Sequence, residues 1–180
     1  MSVPRGPMRS ELLTWLDVDR LVDVLVPQLR DAGRFDALLM ITRGGLVPGG
    51  LLCEILRIGH VLTAAVEFPN DQTSGALSRT QLAAMPSFFQ FPDDQLLTGR
   101  KTLIIDDVWG SGRTSTAVKN RCESAGAYPL TCVFHFNPYR SLFTRAEPDF
   151  YGAVTDAHIV YPWEIDRGLK GELAGEPQVN

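Results

Sequence analysis

Residues 101 to 116 read Lys-Thr-Leu-Ile-Ile-Asp-Asp-Val-Trp-Gly-Ser-Gly-Arg-Thr-Ser-Thr, and no other stretch limits the possible folds as much. Leu103-Ile104-Ile105 is apolar without alternation, the pattern of a strand buried on both faces of a parallel sheet. Asp106 and Asp107 end that strand. Gly110, Ser111 and Gly112 follow, then Arg113 and three hydroxyl residues, before a helix-like run from Ala117 to Ala125 that Gly126 stops. A small, flexible turn opening a helix presents backbone N–H groups and a positive dipole end to an anion. The two carboxylates cannot share in holding a phosphate, because like charges repel. They suit sugar hydroxyls as hydrogen-bond acceptors, or a divalent cation as oxygen ligands. A ribose 5-phosphate would use both halves of the motif.

Composition narrows the function classes. At 180 residues the chain is expected to form one domain, able to bury about 70% of its unfolded surface. Its 44% hydrophobic and 21% charged residues are ordinary for a soluble globular protein. A net charge of −4 argues against nucleic-acid binding through a general basic surface. Cys53, Cys122 and Cys132 are odd in number and sit in apolar contexts, so buried free thiols are expected. No basic-plus-apolar leader and no apolar run of membrane-spanning length occurs. We therefore expect a cytoplasmic protein with neither a nucleic acid nor a membrane as partner.

In chain order, residues 1–10 read as a loose tail. Asp17 to Ala32 carries Val18, Leu21, Val22, Leu25 and Leu29 at helical spacing. Pro27 inside that pattern predicts a kink or two shorter helices. Phe35 to Ile41 is the first buried strand, and it runs into Thr42-Arg43-Gly44-Gly45-Leu46-Val47-Pro48-Gly49. Glycines there let the backbone approach a ligand closely, and Arg43 supplies a permanent forked cation suited to phosphate. Pro48 fits the first turn of a helix through Leu56. His60 to Val66 is a second strand. From Glu67 to Thr98 periodicity dissolves among polar residues and prolines around Phe88-Phe89-Gln90-Phe91, a cluster suited to packing or a subunit contact. Leu130 to Phe136 and a final segment around His158 to Tyr161 complete the strands.

Strand, Asp-Asp, short spacer and then small-Gly-x-Thr resembles the phosphoribosyl-pyrophosphate (PRPP) motif of the type I phosphoribosyltransferases. A Walker B strand also ends in acids, but its partner Gly-x-x-x-x-Gly-Lys-Ser/Thr is nowhere in the chain. Gly110-x-Gly112-x-x-Ser115 is similar to a dinucleotide fingerprint, yet that strand does not usually deliver two acids before its first glycine. More narrowly, Arg43 to Gly49, Thr14-Trp15 and Tyr161-Pro162-Trp163-Glu164 resemble the xanthine-guanine (purine) branch, so the likeness is nearly full length.

The resemblance implies an α/β fold: a mostly parallel five-stranded sheet flanked by helices, with a small C-terminal hood over 137–180. Both motifs would sit at carboxyl ends of strands. It implies Asp106 and Asp107 as catalytic acids holding the ribose hydroxyls or the shell of Mg²⁺, with Asp107 the metal ligand. Gly110, Ser111, Gly112, Arg113 and Thr114 would grip the 5′-phosphate. Arg43 and Gly44 would grip pyrophosphate, in a loop that often carries a cis peptide in the family. Residues 67–98 match the flexible loop that closes over the reacting ribose and excludes water; Arg79 within it is in reach of pyrophosphate or is simply solvated. Asn137, His158, Ile159 and Glu164 would meet the base, His158 where an aromatic often stacks. Many purine-branch relatives have lysine at the Asn137 position, so the neutral amide weakens the preference for an oxo-purine. The substrates implied are PRPP and a nucleobase, and a homo-oligomer, dimer or tetramer, is expected.

The largest departure is Gly110, where purine-transferring relatives usually carry a third aspartate that accepts the base's proton. Glu164 or a water takes the proton, or the base differs, or turnover is slow. Two other readings stay open: a non-catalytic PRPP or nucleotide sensor, for which the missing aspartate is the clue, and a dinucleotide-dependent oxidoreductase, which the Asp-Asp pair disfavours.

Overall fold

The computed structural model describes residues 9–68, 85–143 and 146–165. Its centre is strand β5, Lys101–Trp109, the apolar run read above. In chain order, β1 (Ser10–Leu12), α1 (Trp15–Asp31), β2 (Ala37–Ile41), α2 (Leu46–Leu56), β3 (Val61–Glu67) and β4 (Ser87–Gln90) precede it. After it come α3 (Arg113–Ser124), β6 (Tyr128–Phe136), β7 (Phe150–Val154) and β8 (His158–Val160). The main sheet has the order β4-β3-β2-β5-β6-β7. All pairs are parallel except β3 with β4.

Successive strand residues feed opposite cores, as the pleat requires. Leu38, Leu103, Ile105 and Phe134 pack with α1 and α2 on one face. Leu39, Ile41 and Ile104 pack with Val118 and Cys122 of α3 on the other. With both faces covered, the strands need apolar residues at every position, which is why Leu103-Ile104-Ile105 shows no alternation.

Helix α1 begins with a capping box: the Thr14 hydroxyl accepts from the Asp17 N–H, and the Asp17 carboxylate accepts from the Thr14 N–H. The expected break at Pro27 does not divide it; α1 is one helix with Pro27 inside. A helix-interior proline costs about 3 kcal/mol, and burying one Val or Leu side chain contributes roughly 1.5–3 kcal/mol. Val18, Leu21, Val22, Leu25, Val26 and Leu29 are all buried, so packing outweighs the lost hydrogen bond.

Three further expectations are corrected. The sheet has six strands, not five, because Ser87–Gln90 forms β4 inside the expected loop 67–98, with a 3₁₀ turn at Asp94–Leu96. Phe88 of β4, with Leu62, Val66 and Phe91, packs half-buried against the core of Leu39, Ile41 and Ile104, a single anchor too short to set up a readable period. The fifth parallel strand is β7 rather than the segment around His158 to Tyr161. That segment supplies β8, which pairs with β1, Ser10 opposite His158, in a separate two-stranded sheet. Ser10 is therefore strand rather than tail. Finally, α3 begins at Arg113, so the hydroxyl residues lie in its first turn. Residues 1–8, 69–84, with Arg79, and 166–180 fall outside the described residues.

Cys122 and Cys132 are buried free thiols and Cys53 is half-buried. Burial pushes the Cys122 thiol up to about 12 and Cys132 higher still, which keeps both protonated and unreactive. Among the described residues no helix is long and apolar enough to cross a membrane.

Candidate active site

Because β2 and β5 are parallel neighbours, their carboxyl ends lie side by side. The loop after β2 crosses the end of β5 at very short range. A side chain on Gly44 would place its Cβ 2.5 Å from the Asp107 carboxylate, and one on Gly45 would collide with the Ile105 carbonyl oxygen. Only glycine fits at either position. The Thr42–Arg43 peptide is cis, and Arg43 is exposed beside the crevice.

Asp106 and Asp107 are held by the backbone next to them: the Asp107 N–H donates to Asp106 Oδ1 at 3.0 Å, and the Val108 N–H to Asp107 Oδ1 at 2.6 Å. Burial pushes Asp106 well above the usual carboxylate range, and the charge of Asp107 pushes it further. Burial also raises Asp107, with the charge of Glu164 adding to it. Ionising both carboxyls there is costly, a setting that favours a bound cation or a hydroxyl donor.

The turn after β5 is the candidate anion cradle. Gly112 has φ +78°, and an added Cβ would lie 2.5 Å from Trp109 Nε1, so both conformation and packing demand glycine. Trp109 is 2% exposed and sits edge-on to Phe136 beneath the turn. The Leu142 N–H braces the turn by donating to the Ser111 carbonyl at 3.0 Å. The first-turn N–H groups of α3, from Arg113 and Thr114 onward, have no intrahelical acceptor and face outward from the dipole's positive end. The Arg113 guanidinium lies 3.9 Å from the centre of the Phe68 ring.

Behind the carboxylates is a layer that sequence reading did not single out. The Tyr161 hydroxyl donates to the Asp107 carbonyl oxygen at 3.1 Å, and His135 Nδ1 lies 2.7 Å from the same hydroxyl. The Tyr161 N–H donates to Glu164 Oε2 at 2.8 Å, and the Tyr161 and Trp163 rings stack at 4.4 Å. Tyr161 was legible only as part of a family-like string, and His135 reads as one more buried strand residue.

Burial lowers the His135 pKa to about 4 from 6.5. The unfolded chain therefore takes up its proton first as pH falls, so His135 favours the fold above pH 6.5 and loses that contribution on the way to pH 4. Between pH 6.5 and 5 the loss should be about 2 kcal/mol, at roughly 1.4 kcal/mol per unit. Melting curves from pH 7 to 5 should fall more steeply for the wild type than for His135→Gln. Parallel curves would show that His135 does not titrate this way.

The remaining base candidates are divided. Asn137 is buried at the end of β6, its N–H bonded to the Trp109 carbonyl and its Oδ1 accepting from the Arg140 N–H. Glu164 is exposed and near enough for its charge to act on Asp107. Ile159 is a core residue packed with Leu13 and Val18. His158 is exposed on the two-stranded sheet, its N–H bonded to the Arg9 carbonyl. The structure thus joins Arg43, Gly44, Asp106, Asp107, Glu164 and the turn after β5 around the carboxyl ends of the central strands β2 and β5, and puts His158 and Ile159 on the hood.

A profile of the phosphoribosyl transferase domain matches residues 8–162. The chain belongs to the phosphoribosyl transferase family. Within it, the chain is 24% identical over 170 residues to a xanthine-guanine phosphoribosyltransferase of Desulfotalea psychrophila, covering 94% of this chain and 96% of that one. A purine phosphoribosyltransferase structure from Pyrococcus horikoshii shares 27% identity with a TM-score of 0.69, over 90% of this chain and 99% of the other. A Neisseria gonorrhoeae protein solved with bound ppGpp has the same fold, with a TM-score of 0.72 at 20% identity over 89% and 92% of the two chains. In this phosphoribosyltransferase the Asp106–Asp107 pair and the Arg43 to Gly45 loop lie together at the carboxyl ends of the parallel neighbours β5 and β2.

Proposed function

We propose that this phosphoribosyltransferase moves the ribose 5-phosphate of PRPP onto an oxo-purine (xanthine, guanine or hypoxanthine), releasing pyrophosphate. One observation carries the reading: a carboxylate pair at a strand end touches a glycine loop on one side and runs directly into an anion cradle on the other. That order matches the substrate's own, pyrophosphate, ribose diol and 5′-phosphate. The purine half rests on the named relatives and on the Arg43 to Gly49 and Tyr161 to Glu164 strings.

In this reading Gly110, Ser111, Gly112, Arg113 and Thr114 hold the 5′-phosphate through backbone N–H groups and hydroxyls. Asp106 and Asp107 accept hydrogen bonds from the ribose hydroxyls and place carbon 1 beside the crevice. Arg43, with the Gly44 backbone, takes the pyrophosphate and its developing charge as the bond at carbon 1 breaks. Asn137, His158, the Ile159 backbone and Glu164 border the side from which the base nitrogen adds. No titratable group stands at Gly110, so Glu164 or a water takes the base's proton.

The donor set also fits Mg²⁺. Asp107, with Asp106 beside it, offers hard oxygen ligands whose pKa values are raised chiefly by burial, and among the described residues no cluster of three or more ligating side chains exists. Mg²⁺ is commonly held by one or two carboxylates plus substrate phosphates rather than by an all-protein cage. Bound there, it would supply charge neutralisation and orientation of the pyrophosphate.

The test is calorimetry. PRPP should bind only with Mg²⁺ present, and Arg43→Ala should lose about tenfold or more in PRPP affinity, the range for a charge-assisted hydrogen bond. Binding of the nucleotide product, which lacks pyrophosphate, should be nearly unchanged. Equal losses for both ligands would remove Arg43 from the pyrophosphate site. A second reading, a PRPP or nucleotide sensor without turnover, is favoured by Gly110 alone; PRPP binding with no transfer to any base would establish it.

A further inference from the structure

We propose that Tyr161 and His135 are positioning residues that lock the end of β5 and so aim the Asp106–Asp107 carboxylates; the proposal rests on the PRPP reading above. The register of β2 with β5 ends at Met40 opposite Ile105, two residues before Asp107. On that side the ladder has run out where the carboxylates begin. The Tyr161 hydroxyl supplies a donor to the Asp107 carbonyl there, at 3.1 Å.

The proton count fixes the rest of the relay. A phenol has one proton and gives it to Asp107, so the 2.7 Å contact with His135 needs Nδ1–H as donor and the hydroxyl oxygen as acceptor. Tyr161 is 1% exposed and His135 6% exposed, so water does not offer either group a substitute partner. The His135 Nδ1–H thus relies on the Tyr161 hydroxyl, which in turn holds the Asp107 carbonyl.

The relay also ties the hood to the sheet. Tyr161 directly follows β8, its N–H is held by Glu164, and its ring is clamped against Trp163 with an interplanar angle of 7°. At its far end the Asp107 peptide is already coupled to its own side chain, since the Val108 N–H donates to Asp107 Oδ1. Carbonyl, amide and carboxylate thus move as one unit, and the hydroxyl of a hood residue sets where that unit points. Sites of this kind tolerate only a fraction of an ångström of misplacement before rate is lost.

Three variants test this, each first shown to be folded by its melting curve. Tyr161→Phe should lower kcat about tenfold, the equivalent of one hydrogen bond, and raise the Mg²⁺ concentration for half-maximal activity severalfold. The KM for the base should stay within about twofold, a split that general loosening would not give. His135→Phe should produce a smaller fall of the same kind. His135→Gln, which keeps an N–H donor, should recover to within about twofold of the wild type. A folded Tyr161→Phe with wild-type kcat and Mg²⁺ dependence overturns the proposal, and a His135→Gln no better than His135→Phe removes His135 from it. If Tyr161→Phe does not fold, the two His135 variants decide. A wild-type protein that fails to bind PRPP with Mg²⁺ overturns the functional reading itself, and the relay's role with it.

Discussion

Asp107→Ala should reduce transfer of the ribose phosphate by roughly 10²–10³-fold, the scale for removing one preorganised electrostatic group, while leaving the protein folded. Asp107 stands where three requirements meet. Its carboxylate lies against Gly44 of the loop after β2, shares the strand end with Asp106, and precedes the cradle by three residues. Asp106 cannot take its place, since adjacent strand residues point to opposite faces of the sheet. Stability should move the other way. A carboxyl whose folded pKa is raised favours folding only below its unfolded value and becomes a burden as pH climbs through the folded one. At pH 7 and without Mg²⁺ the variant should therefore melt no lower than the wild type, and any advantage should fade toward pH 4. Loss of fold in Asp107→Ala, or unchanged turnover, would contradict this assignment.

Gly110→Asp should raise turnover with an oxo-purine by roughly 10²-fold, the lower end of what a placed proton acceptor contributes. The structure removes the main obstacle to that substitution. Gly110 is not among the glycines with positive φ, and a Cβ built on it meets nothing within 4 Å. Gly112, two residues on, is the contrast: its φ is +78° and Trp109 fills the space. A new carboxylate at 110 would stand one residue past the end of β5, next to the cradle rather than in it. PRPP affinity should then change little, because the charge acts on the base's proton and not on the pyrophosphate. A folded Gly110→Asp variant without improvement on any purine would favour the sensor reading or a different base.

The β5 strand and the cradle were legible because each demanded an unusual residue string. An unalternating apolar run needs two covered faces, and a phosphate turn needs glycine and hydroxyl residues at fixed offsets. The Arg43 loop was legible for the same reason, although only coordinates show that Gly44 rests on Asp107. What escaped the sequence were features set by distant pairing. β4 has a single half-buried anchor in Phe88, too little to set a period. β8 looked like a sheet strand, but its three residues pair with Ser10–Leu12 from the other end of the chain. Pro27 carries a strong local signal that six buried neighbours override. Tyr161 and His135 are 26 residues apart, and nothing in either segment announces that they share a hydrogen bond.

One crevice should hold PRPP and pass its ribose phosphate to an oxo-purine. The direct measurement incubates the purified protein with Mg²⁺, PRPP and, separately, xanthine, guanine, hypoxanthine, adenine, uracil and orotate, and quantifies nucleotide and pyrophosphate together. Equal amounts of both products should form with at least one oxo-purine, slowly in the wild type, faster in Gly110→Asp and not at all in Asp107→Ala. Nucleotide from none of the three oxo-purines in either the wild type or Gly110→Asp, or products that survive Asp107→Ala, would contradict it.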